Sequence, residues 1–196
     1  ACSMENIREG LKRLAEWSNL NVLDGIPKVN GASTLQVREQ KQVEGLLYGV
    51  TNRALDGLMD FLGVAQITAP GQVLAWTART NFLPLVTAGQ KPVFAAPLET
   101  LTNLAGSNFD PQREAFLPPD AKPFVSVTNT ARTQITSSNF AAHRIELDVE
   151  ADAPAMVVTA QTYYHPWRAY VDGRPAHLWR ANSAFQAVAV LAGRHR

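Results

Sequence analysis

Apolar positions at helical spacing fill the first third of the chain. Ile7, Leu11, Leu14 and Trp17 would share one helix face. "SNLNVLDGIPKVNGAS" follows, broken by Asp24-Gly25, Pro27 and Asn30-Gly31, and reads as an ordered loop. Ser33 and Gln36 have the spacing of a capping box. Helical spacing resumes through Val43, Leu46, Leu47 and Val50, then through Leu55, Leu58, Met59 and Leu62, with Gly63 as a stop. The period then shortens. "VAQITA", "QVLAWTAR", "LPLVTAG" and "KPVFAA" are short β-like runs separated by Pro and Gly. Leu98 to Gly106 reads as a short helix and "EAFLP" as a strand. The Pro118-Pro119-Asp120 cluster is the best internal boundary.

Beyond that boundary the pattern is β throughout. Ile145, Leu147 and Val149 alternate with Arg144, Glu146, Asp148 and Glu150, as in a strand with one wet face. Ala153-Pro154 turns the chain into "MVVTAQTYY", a more fully buried strand. Trp167 to Val171 and Pro175 to Arg180 flank Asp172-Gly173, a strong hairpin signal. Phe185 to Leu191 supplies another strand. The expected fold is α+β. It has an N-terminal helical segment with an ordered loop (1–63), a small α+β subdomain (64–119) and an antiparallel β-sandwich of jelly-roll or immunoglobulin-like type (120–196).

Composition narrows the chemistry. The chain has 196 residues, 46% apolar and 18% charged, so it can bury a core. A net charge of +1 without a basic run argues against nucleic-acid binding. No apolar run approaches the roughly 18 residues of a membrane span. The single Cys2 cannot form an internal disulfide and sits too near the terminus to be a credible nucleophile. His143, His165, His177 and His195 are scattered, with no metal-binding spacing. Asp148, Glu150 and Asp152 read as a solvated strand face. No phosphate-binding glycine loop and no G-x-S-x-G appears. The expectation is therefore no catalytic residue, no metal and no cofactor.

One stretch is unusual. "TYYHPWRAYVDGRPAHLW", from Thr162 to Trp179, holds two of the four Trp and three of the four Tyr. Exposed aromatics stack on the C–H faces of sugars, and polar neighbours can bond hydroxyls. Tyr163, Tyr164, His165, Trp167, Asp172 and Trp179 are the candidate glycan contacts. Strand alternation divides the aromatics between two faces, so some of them belong to a core. Trp167 is the expected core member; Tyr164, His165 and Trp179 are expected to escape it. A stand-alone carbohydrate hydrolase would need two carboxylates facing one cleft, and no motif selects a pair among Asp24, Asp60, Asp110 and Asp172.

The same stretch, continued through "RANSAFQAVAVLAGRH", resembles the C-terminal extracytoplasmic segment of YfhO-type bacterial membrane proteins. The matching positions are Tyr163, Tyr164, Trp167, Ala169, Val171, Asp172, Gly173, Asn182, Gly193 and His195. His165-Pro166 departs from the Pro-Gly usual there. "SNLNVLDGIPKVNGASTL" and "LMDFLGVAQI" are similar to further segments of that family. The resemblance implies a domain of a polytopic membrane protein related to the GT-C glycosyltransferases, which act on cell-envelope glycopolymers with polyprenyl-phosphate-linked sugars. The catalytic acid of that family lies in a loop between membrane helices and has no counterpart here. The implied partners are the protein's own transmembrane region and an envelope glycan, and the implied location is the outer face of a bacterial membrane. The resemblance also implies that the sandwich continues by one strand beyond "GRHR". The alternative is a structural module that packs on transmembrane helices, with every aromatic in its core.

Overall fold

A computed structural model describes residues 28–29, 36–49, 55–69, 71–72, 75–141 and 143–196. The helix expected around Ile7 to Trp17, most of the loop after it, the Ser33 cap and Val50 lie outside the described residues. The first helix, α1 (Arg38–Gly49), buries Val43 and turns Leu46 and Leu47 toward the core. Helix α2 (Asp56–Phe61) buries Leu58 and Phe61. Helix α3 (Pro97–Leu104) begins with Pro97, whose fixed φ suits a first turn.

The strands are β1 (Gln66–Thr68), β2 (Trp76–Ala78), β3 (Val86–Phe94), β4 (Glu114–Leu117), β5 (Thr133–Ala141), β6 (Arg144–Ala151) and β7 (Ala155–Thr162). β8 (Ala169–Val171), β9 (Arg174–Ala176), β10 (Trp179–Ala181), β11 (Phe185–Val190) and β12 (Gly193–His195) complete them. A five-stranded sheet has the order β10-β11-β7-β3-β4 and a three-stranded sheet the order β12-β6-β5. β1-β2 and β8-β9 are separate ribbons. The protein is α+β, with strands predominating.

Strand β7 explains the layering. Met156 and Val158 join a large cluster with Leu58, Phe61, Leu104 and Phe185, between the sheet and the helices. Ala155 and Val157 belong to a second cluster with Val149 and Ala151 of β6 and Val190 of β11. Alternation thus feeds one core from each face of β7, which a strand covered on only one side does not need.

Two runs expected to be separate strands form the single strand β3. Its first half pairs antiparallel with β7, Val86 opposite Thr159; its second half pairs parallel with β4, Lys91 opposite Glu114. Pro92 falls in the half that has no partner on the β7 side, where its missing N–H breaks no ladder. Between the halves, Gly89 has φ +92° and accepts a bond from Ala131 N at 3.0 Å. A Cβ there would collide with the Ala131 carbonyl, so the bulge requires glycine. The sheet also crosses the boundary expected at Pro118-Pro119-Asp120: β3 and β4 precede it, and β7, β10 and β11 follow it. These two segments share one sheet.

The sheet curls until its edge strands nearly meet. Asn182, directly after β10, donates its N–H to Phe116 O of β4 at 2.8 Å and accepts from Phe116 N through Oδ1 at 2.9 Å. Asn182 is buried and left-handed, at φ +46°. Replacing it removes the only acceptor shown for a buried N–H and puts a Cβ-bearing residue with no compensating side chain into that conformation. Asn182→Ala is expected to lower unfolding free energy by about 2–4 kcal/mol in urea titrations.

Candidate functional site

The second cluster ends in a groove of about 980 Å³. One wall is β6, from Arg144 to Leu147 and Val149. The floor combines Val157 and Thr159 of β7 with Gln186, Val188 and Val190 of β11. The opposite wall runs from Tyr164 through Trp167 and the β8–β9 turn, and His195 and Arg196 close one end.

The turn is built as the sequence requires. β8 and β9 pair Val171 with Arg174, leaving Asp172 and Gly173 at φ +53° and +75°. Two positive φ values make the two-residue turn whose twist suits a hairpin, and Asp-Gly tolerates them. The hairpin does not extend the larger sheets. It docks on the C-terminal strand through Asp172. The Asp172 N–H donates to Arg196 O at 2.7 Å, and Asp172 Oδ1 accepts from Arg196 N at 2.9 Å. His195 Nδ1 lies 2.8 Å from Asp172 Oδ2, which places a proton on Nδ1. The Arg196 amide, and after it His195, hold the Asp172 carboxyl below the ordinary aspartate range.

The rim is charged. Arg196 and Arg144 each reach Glu146 Oε1 at 2.8 Å, and the Arg196 bond is the main reason Glu146 is also held below the usual carboxylate range. Arg168 Nη1 donates to the carbonyls of His165 and Trp167, at 2.7 and 3.0 Å. Among the described residues its guanidinium has backbone partners and no carboxylate partner. Among the described residues, two polar atoms beside the groove have no hydrogen-bond partner, Thr159 Oγ1 and His195 Nε2, although Thr159 is only 7% exposed.

Of the six candidate glycan contacts, Tyr164, Trp167 and Asp172 line the groove. Tyr164 is 51% exposed and meets the His165 ring edge-on at 4.6 Å between centroids. His165 is exposed beside the groove without lining it. Tyr163 is half-buried under the Arg180 guanidinium, 4.9 Å from the ring centre. Trp167, expected in the core, is only half-buried. Trp179, expected outside it, is 8% exposed within the main core, stacked on Phe124 and against His177. The parity of β10 decides this: Trp179 and Ala181 point inward while Arg180 points out.

Tyr170, at 60% exposure, and Arg168, Thr159, Gln186 and His195 complete the site. Gln186 had a legible signal, as the lone polar residue of β11, and Thr159, the first polar residue of β7, pairs with it across the two strands. The carboxylates considered for hydrolysis are dispersed. Asp60 binds Arg79 at 2.7 Å, Asp110 accepts from Gln112 N at 2.9 Å, Asp172 holds the C-terminal strand, and Asp24 lies outside the described residues. Among the described residues no group of three or more His, Cys, Asp or Glu side chains could hold a metal, and no helix is long and apolar enough to cross a membrane. No protein-family model, curated protein or solved structure matches the chain.

Two outcomes follow from the placement. Trp179→Ala is expected to cost about 3–5 kcal/mol of stability in denaturant titrations, as for other buried tryptophans. Asp172 is held below its unfolded pKa, so its contribution is present above that pKa and is lost as pH falls through the folded one. The thermal midpoint gap between the wild type and Asp172→Asn should be widest above about pH 5 and should narrow below about pH 4.

Proposed function

We propose that this chain is a non-catalytic extracytoplasmic domain of a YfhO-type, glycosyltransferase-like membrane protein, and that its groove rim contacts an envelope glycan. The observation that carries the glycan reading is the rim itself. Tyr164, Trp167 and Tyr170 gather around one groove with Arg168, Gln186 and His195 beside them. Sugar recognition combines such flat apolar faces with hydrogen-bonding groups at their edges.

The resemblance gains support from the tertiary contacts of its residues. Asp172 lies next to Gly173, and His195 two residues after Gly193; the hairpin and the C-terminal strand meet through Asp172 and His195. Asn182 bridges the edges of the curled sheet. These are structural tasks, which suits a domain whose chemistry resides elsewhere in the protein. The stacking of the five-stranded and three-stranded sheets across the second cluster supports reading the C-terminal part as a β-sandwich of jelly-roll or immunoglobulin-like type.

The second reading, a module that packs on its own transmembrane helices with its aromatics in the core, is favoured for Trp179 by its burial. The exposure of Tyr164 and Tyr170 favours the glycan reading for the rim.

The test is an array of bacterial envelope glycans followed by titration of the best binder. Tyr164→Ala and Tyr170→Ala should each weaken binding about threefold to tenfold while leaving the thermal midpoint unchanged. Wild-type affinity in both variants, or an array without binders, would remove the glycan from the proposal.

A further inference from the structure

Both carboxylates that line the groove are engaged. Glu146 receives Arg144 and Arg196, and Asp172 receives His195 and the Arg196 amide. Arg168 lines the same groove without a carboxylate beside it among the described residues. Its Nη1 donates to His165 O and Trp167 O, which uses both hydrogens of that nitrogen. Among the described residues nothing accepts from Nη2 or Nε. These two nitrogens form one side of the planar fork, a pair of parallel donors that fits the two oxygens of a carboxylate. The carbonyl bonds also fix the guanidinium. An exposed arginine ordinarily gives up rotamer freedom on binding, and here part of that ordering precedes the ligand. A flat apolar surface lies next to the fork. Arg168 directly precedes β8 and Tyr170 lies two positions on, so alternation sends both side chains to one side, about 7 Å apart along the strand. Tyr170 is exposed, and it lines the groove as Arg168 does. On the floor, the buried Thr159 hydroxyl has no partner among the described residues.

We infer that the groove selects acidic sugars: a hexuronate whose C–H face lies on Tyr170 and whose carboxylate takes the Nε–Nη2 fork of Arg168. The inference rests on the glycan reading of the rim and adds to it the charge of the sugar. A neutral sugar leaves the fork to water. A carboxylate replaces that water with two charge-assisted bonds, each about twice as strong as a neutral one. A phosphate ester fits less well. It brings three oxygens and a charge near −2, whereas the fork offers two coplanar donors and one positive charge. Thr159 and Gln186 then stand on the floor as polar partners for sugar hydroxyls, between apolar positions such as Val157 and Val188. Pockets for small ligands reach about 1,000 Å³, so a groove of about 980 Å³ accepts more than one sugar ring.

The probes are trisaccharides of glucuronate, galacturonate and mannuronate, together with their methyl esters, which keep the rings and remove the charge. A glucose trisaccharide carrying a 6-phosphate is the fourth arm. Calorimetry on the wild type should show at least one uronate binding about tenfold tighter than its own ester. That gap should shrink as salt rises from about 0.05 to 0.5 M, while binding of the ester stays level. Arg168→Gln should weaken the acid alone and bring acid and ester within about twofold of each other. Arg168→Lys keeps the charge without the fork and should retain a preference of about threefold or less. Thermal midpoints are recorded for both variants. Equal binding of every uronate and its ester, a preference that survives in Arg168→Gln, or tighter binding of the phosphorylated sugar would overturn the inference. The comparison of acid with ester uses the wild-type chain, so it stands even if the Arg168 variants fold poorly. If acid and ester bind equally while Tyr164→Ala and Tyr170→Ala weaken both, the acidic preference falls and the glycan reading stands. If no saccharide binds, both fall.

Discussion

A strand that is apolar on both faces must be covered on both. β7 is that strand: its first five residues are buried, and successive side chains enter different cores. Helices α2 and α3 cover one side and β6 the other, while β3 and β11 occupy its edges. Burying each valine or methionine side chain here is worth about 1.5–3 kcal/mol, so moving either cover would forfeit several such terms together. The groove arises from the same requirement. Where Val157 gives way to Thr159 on the face toward β6, the apolar filling thins and space opens between the sheets.

Much of this was legible in the residues, wherever one period ran without interruption. The helical spacing of Val43, Leu46 and Leu47 and the alternation of Ile145, Leu147 and Val149 both became the elements they describe. Asp172-Gly173 became a two-residue turn because few other pairs accept two positive φ angles. Less legible was anything that depends on a partner remote in sequence. β5 is polar and largely exposed, and it is a strand because β6 pairs along it. β3 reads as two strands because Gly89 and Pro92 resemble punctuation; a crossing segment and a change of neighbour account for them.

The candidate site divides in the same way. The aromatic stretch was visible, but the side each ring faces was not. Trp179 went to the core because β10 is the edge strand over Phe124, a pairing between distant parts of the chain. Tyr164 lies beyond the end of β7, where strand alternation no longer governs direction. The Asp172–His195 contact joins two segments whose proximity no local pattern announces, although both belong to the block that carries the family resemblance.

The divided loyalty of β3 has a consequence for how the chain finds its structure. Its second half, α3 and β4 form a compact neighbourhood in sequence, joined by a single crossover, and can organise early at small entropic cost. Its first half must wait for β7, which is made after a long intervening stretch, and that pairing closes a large loop before any ladder bond rewards it. One strand thus contains a fast half and a slow half. The glycine between them marks the seam at which local assembly hands over to long-range assembly.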